Sequence, residues 1–184
     1  MLAIVPRILG CLFYYPPDSE AAQCALRDLP QLVNYFPWQH PEVIRNISQH
    51  TAQPQPDTFS LLFEGVGDMQ APPWGSVYLD PERIVMGCST LDYRHFLRRN
   101  GIAPRLAGNE PEDHFGLMLL ALAYLLEQER EATALELLNE HLFPWAGLYL
   151  QQLKSATLAG EFYHCLATLA QHFIAEMRSE VLSS

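Results

Sequence analysis

Between Asn109 and Gln128 the apolar residues Phe115, Leu119, Leu122 and Leu126 return every three or four positions, the period of a helix with one face turned inward. The same spacing recurs along the chain, whereas sustained two-residue alternation with β-branched enrichment is hard to find. An all-α fold is the expectation. The 184 residues suffice for one core of ordinary size, so a single helical domain over 1–184 is the default. Hydrophobic residues make up 49% and charged residues 17%, which excludes bulk disorder.

Prolines and glycines divide the helical pattern. Residues 4 to 15 form an apolar helix ended by Pro16-Pro17, and Asp18-Ser19 offers an N-cap for a second helix through about Asp28. Pro37, Pro41 and Pro54 leave room only for a short helix near Pro41 to His50. Asp57 is placed to cap a helix carrying Phe59, Leu62 and Phe63, closed by Gly65 and Gly67. Asp68 to Gly87 holds three prolines and little helical period, so it reads as a long ordered loop, a class of segment that is often functional. Ser89 or Thr90 is expected to cap a helix that stops at Asn100-Gly101. The next helix is expected to begin after Asn109, followed by helices from about Arg130 to His141, Trp145 to Ser155 and Ala159 to Leu182.

Composition restricts the chemistry. Lys and Arg number 11 against 21 Asp and Glu, so the net charge of −10 repels a nucleic-acid backbone and suits a basic partner, or serves solubility alone. The cysteines Cys11, Cys24, Cys88 and Cys165 lie far apart with no C-x-x-C pairing, which argues against a zinc knuckle, a redox dithiol or a disulfide framework and suggests a reducing cytoplasm. The apolar start is interrupted by Pro6 and Arg7 and lacks a basic leader or a cleavage signal, and no stretch reaches the roughly 18 apolar residues of a membrane span, so neither export nor membrane insertion is expected.

The densest chemistry lies in NEPEDHFGLM, 109 to 118. Asn109 with Glu112 resembles a capping box, Pro111 suits a first turn, and Glu110, Glu112 and Asp113 would meet the positive end of a helix dipole. Helix formation explains His114 poorly, because the same dipole repels a cation. Positions i+3 and i+4 from His114 are Leu117 and Met118, which offer a metal nothing, and no nucleophile motif or Gly-rich phosphate loop occurs. No cofactor, metal or catalysis is implied. Recognition of a ligand both basic and apolar remains, with carboxylates beside aromatic walls.

NEPEDHFG at 109–116, PPWGSVYLD at 72–80, GCSTL at 87–91, HLFPW at 141–145, RILGCLFYYPPDS at 7–19 and EFYHCLATLA at 161–170 together resemble the TorD/DmsD/NarJ family of redox-enzyme maturation chaperones, and most of all its DmsD-like members. The resemblance implies an all-helical cytoplasmic protein that binds the twin-arginine signal peptide of a molybdenum-containing reductase, of the dimethyl sulfoxide reductase kind, and delays export until the cofactor is inserted. The twin-arginine translocase and cofactor-insertion proteins are further implied partners. It also implies a signal-peptide site at Asp113, His114, Glu110, Pro111, Trp74, Tyr78, Leu62, Phe63, Pro73, Gly87 and Tyr14. In that picture the arginines approach Asp113 and Glu110 while the apolar segment lies along Trp74, Tyr78 and Leu62. Core packing is the competing account for Leu62, Phe63 and Tyr14, and a turn or close approach for Gly87. Tyr78 and Phe59 stand where DmsD-like sequences have Trp, Cys88 stands where they have Asp, and the segment Gly65 to Gln70 lacks a family tryptophan. GTP binding, or a scaffold role for cofactor insertion, is the alternative. Gly101 to Asn109 is a candidate hinge for exchange between protomers.

Overall fold

The computed structural model of the protein describes residues 3–104, 106 and 108–183. The helices are α1 (Ile4–Tyr14), α2 (Glu20–Asp28), α3 (Pro41–His50), α4 (Pro56–Phe63), α5 (Ser76–Leu79), α6 (Cys88–Arg99), α7 (Phe115–Glu127), α8 (Glu131–Glu136), α9 (Phe143–Ser155) and α10 (Gly160–Ser183). A 3-10 turn covers Leu29–Asn34 and a π-helical turn covers Leu137–Leu142. Among the described residues the only extended pairing is one isolated bridge between Trp74 and His114, as an all-α chain requires.

Local chemistry sets most boundaries. Ser19 Oγ accepts a hydrogen bond from the Ala22 amide at 3.2 Å and starts α2, as the sequence predicts. α3 begins on Pro41, whose missing N–H is harmless in a first turn. α6 ends at a left-handed Gly101: the Gly101 amide donates to the Arg98 carbonyl and the Ile102 amide to the Leu97 carbonyl, the paired closure of a Schellman motif. α7 ends in the same way, with Glu129 in the left-handed position.

Three predicted starts and two other expectations are corrected. α4 opens on Pro56 behind Gln55, with no side-chain cap from Asp57. α6 opens at Cys88 behind Gly87; Ser89 and Thr90 lie inside it. The long loop contains the short α5, built on Ser76–Leu79. α7 begins at Phe115 and not after Asn109, because amides and carbonyls of 113–115 pair with the Pro73–Gly75 backbone instead of continuing a helix. The helix expected over Arg130 to His141 is α8 running into the π turn and on into α9, with Pro144 in the first turn of α9.

α1 and α7 form the centre and cross in backbone contact. A Cβ on Gly10 would lie 2.9 Å from the Gly116 carbonyl oxygen, and one on Gly116 would lie 2.9 Å from the Gly10 carbonyl oxygen. α9 and α10 pack together, α3 packs on the 3-10 turn, and α5 touches both α9 and α6. Phe13, Phe59, Phe115, Trp145, Tyr149, Tyr163 and Phe173 fill the core with edge-on and tilted ring contacts. The expected hinge at Gly101–Asn109 lies partly outside the described residues.

Candidate functional site

The segment leading into α7 is a turn strapped to the long loop. The Gly75 amide donates to the Asp113 carbonyl at 3.1 Å, and the Phe115 amide donates to the Pro73 carbonyl at 2.7 Å. The Ser76 amide and the Thr90 hydroxyl donate to Asp113 Oδ2 at 2.8 and 3.0 Å. Asp113 thus joins the long loop, α6 and α7 through one carboxylate that is only 1% exposed. Its second oxygen, Oδ1, is buried with no hydrogen-bond partner among the described residues. Burial raises the Asp113 pKa and the Ser76 and Thr90 bonds oppose that rise.

His114 caps α7. Its Nδ1 accepts the Gly116 amide at 3.0 Å, which places the proton of the neutral ring on Nε2. The ring is 1% exposed and lies among Tyr14, Phe63 and Trp74, with centroids at 5.3, 6.5 and 6.3 Å. Burial lowers its pKa to about 3, so near neutrality it is uncharged and does not oppose the helix dipole. The difficulty that His114 poses in the sequence disappears once the ring is seen as a neutral cap.

Glu110 and Glu112 flank this hub. Glu110 accepts the Trp74 indole N–H at 2.6 Å, and partial burial raises its pKa. Glu112 forms a two-pronged pair with Arg94 of α6, Nε to Oε1 at 2.6 Å and Nη2 to Oε2 at 2.7 Å, which lowers the Glu112 pKa and raises that of Arg94. Pro111 is buried, and its carbonyl accepts the His114 amide at 3.3 Å.

Two cavities meet this turn. One, of about 370 Å³, is lined by Tyr14, Tyr15, Phe59, Phe63, Glu110 and His114, with Glu64 also on its wall. The other, of about 210 Å³, has Asp113 on its wall. Tyr14, Phe63, Glu110 and His114 are therefore brought together in one acid-and-aromatic cleft, while Asp113 faces the second cavity.

The remaining residues of the sequence-derived set line neither cavity. Leu62 is buried in the core and lines neither cavity. Tyr78 is half-buried and stacks on Trp145 at 5.5 Å, and Trp74 is held in the strap with its indole on Glu110. Gly87 has φ of −76°, so positive φ is not its reason; a Cβ there would stand 1.9 Å from Asp80 Oδ2. Close approach explains it, since Asp80 reaches past it to accept the Ser89 amide and hydroxyl in the first turn of α6, each at 3.1 Å. Ser76, Thr90, Asp80 and Arg94 have no place in the sequence-derived set. They are ordinary polar residues whose partners lie on other elements, and only the fold reveals them.

Among the described residues no group of three or more His, Cys, Asp or Glu is placed to hold a metal ion. No helix of the described residues is long and apolar enough to cross a membrane.

Comparison with known proteins agrees with this architecture. The chain is 36% identical over 188 residues to the Tat proofreading chaperone DmsD of Salmonella typhimurium, an overlap of 98% of this chain and 90% of that one. It is 28% identical over 185 residues to the chaperone protein YcdY of Escherichia coli, covering 97% and 95% of the two chains. A crystal structure of a protein described as a redox enzyme maturation protein from Archaeoglobus fulgidus shares the fold with a TM-score of 0.61 at 17% identity, over 97% of this chain and 94% of that one. Residues 19–151 match the family described as nitrate reductase delta subunit, and with the 36% identity to DmsD this shows that the chain belongs to that family, the family of TorD, DmsD and NarJ.

Proposed function

We propose that this chain is a chaperone of the DmsD kind that binds the twin-arginine signal peptide of a molybdenum-containing reductase, of the dimethyl sulfoxide reductase class, and holds the precursor in the cytoplasm until its cofactor is in place. The carrying observation is the cleft that unites Glu110 and Glu64 with Tyr14, Tyr15, Phe59 and Phe63. A twin-arginine signal joins guanidinium groups to an apolar helix-forming stretch, and the cleft offers carboxylates and rings to the two parts. Function by binding fits a site whose histidine is a neutral cap and whose aspartate is tied to two donors. Asp113, His114, Pro73, Pro111, Trp74, Tyr78, Leu62 and Gly87 hold the walls in place, whereas Glu110, Tyr14 and Phe63 meet the peptide. Apolar burial supplies most of the affinity, and the charge-assisted pairs set the register.

The test is calorimetric titration with a synthetic twin-arginine signal peptide beside a scrambled peptide of the same composition with the arginines apart. The expected result is saturable binding of the first and at least about tenfold weaker binding of the second, a difference of about 1.4 kcal/mol. Equal binding of both, or of neither, overturns the reading.

A further inference from the structure

Three carboxylates stand within four residues of the turn before α7, and the fold disposes of each differently. Asp113 is buried on Ser76 and Thr90, and Glu110 lies on the wall of the aromatic cleft. Glu112 lines neither cavity, because Arg94 reaches across from α6 and holds it with both prongs of its guanidinium, at 2.6 and 2.7 Å. The partners are 18 positions apart in the chain. They are shielded unequally, with 13% of the Glu112 side chain exposed against 28% of the Arg94 side chain. A fork on a carboxylate fixes direction as well as distance, which the single ammonium of a lysine does not.

The grip acts on the cleft in two ways. Pro111 lies between Glu112 and Glu110, and its ring locks φ near about −65°, so the backbone from one carboxylate to the other has little freedom. With Glu112 held on α6 and Glu110 held by the Trp74 indole, that stretch is clamped at both ends. Arg94 also cancels the charge of Glu112. Without it a carboxylate would stand unpaired two residues from Glu110 and outside the cleft, a competing seat for a guanidinium. The Arg94 pair itself shows that Glu112 accepts a guanidinium side-on.

We propose that Arg94 is a positioning and specificity-determining residue of the client site: its grip on Glu112 aims Glu110 into the cleft and withdraws Glu112 from competition for the arginines of the peptide. This role presupposes the chaperone reading given above and adds to it a residue that does not touch the peptide. With Glu112 occupied, an arginine gains a carboxylate only where the aromatic walls also receive the apolar stretch, so the spacing between the two parts of the peptide is read. With Glu112 free, a peptide whose arginines are displaced finds a second seat. Arg94 thus governs which peptides are refused as well as how tightly the right one is held.

The experiment is calorimetric titration, well below the melting temperature, with a twin-arginine signal peptide and a scrambled peptide of the same composition whose arginines are apart. It compares the unaltered full chain with Arg94→Gln, Arg94→Lys and the Arg94→Gln, Glu112→Gln double variant. The unaltered protein is expected to prefer the paired arginines about tenfold. Arg94→Gln is expected to bind that peptide about fivefold more weakly and the scrambled one as before, so the preference falls to about twofold. Arg94→Lys keeps a charge on Glu112 and loses the fork, so its preference should lie between these, at about fivefold. The double variant removes the freed carboxylate and should recover most of the preference while the paired-arginine peptide stays weakly bound. A merely structural role weakens both peptides by one factor and leaves the preference unchanged. That result in Arg94→Gln, or no change for either peptide, overturns the role of Arg94 and leaves the chaperone reading standing. An unaltered protein that binds neither peptide, or both equally, overturns both.

Discussion

His114 is the residue whose chemistry depends most on the fold. Its pKa falls from 6.5 to about 3 on burial, so between those values the unfolded chain binds more protons than the folded one and stability declines as pH falls. From pH 7 to pH 5 this amounts to about 2 kcal/mol. Asp113 acts in the opposite sense, because its raised pKa adds stability as pH falls through it. Comparing urea unfolding of the unaltered chain with His114→Gln isolates the histidine: the unaltered chain should lose about 2 kcal/mol more across that window. Truncation is a different matter. His114 is enclosed by Tyr14, Phe63 and Trp74, so His114→Ala leaves a cavity and an uncapped amide and should cost about 2–4 kcal/mol by urea denaturation. Asp113→Asn is the gentler probe. Turning the amide oxygen toward Ser76 and Thr90 keeps both bonds while removing the buried charge, so stability should change by less than about 1 kcal/mol.

At the level of elements, helix ends and helix crossings make opposite demands on glycine. Glu129 occupies a left-handed position that closes α7 and is exposed, so Glu129→Gly should raise the urea midpoint, by about 0.5–1 kcal/mol in stability. Gly10 lies where α1 and α7 touch, so Gly10→Ala forces the helices apart and should lower stability by about 1–3 kcal/mol. Periodicity and prolines made α1, α2, α3, α9 and α10 legible to within a few residues, because there local propensity and tertiary packing agree. The start of α7 was not legible: Asn109, Pro111 and Glu112 carry good local signals for a first turn, yet backbone pairing with Pro73–Gly75 overrides them. The same cause limited the site. The residues of NEPEDHFG could be picked out as chemically dense, but whether Asp113 faces solvent depends on Ser76, which lies 37 positions away, and on Thr90. The Gly10–Gly116 contact also passed unread, since a glycine inside a helical pattern shows its purpose only when the facing helix is known.

At the scale of the whole molecule, a net charge of −10 should draw a basic peptide in from a distance. Stopped-flow binding is expected to show an association rate that falls as salt rises, with a dissociation rate that changes much less. A dissociation rate carrying most of the salt dependence would place the charge effect inside the bound complex instead. The strap between the long loop and the turn before α7 bears on how the protein is made. Bringing Ser76 to Asp113 closes a loop of 37 residues, with an entropic penalty of roughly 3 kcal/mol that no nearby contact in the chain can offset by itself. Both cavities use residues from this turn and from elements far from it in sequence, so neither can exist on a nascent chain that stops before α7. On the proposed reading, competence to receive a client is therefore a late event in folding, and a chain emerging from the ribosome is expected not to engage a signal peptide until its second half has been synthesised and packed.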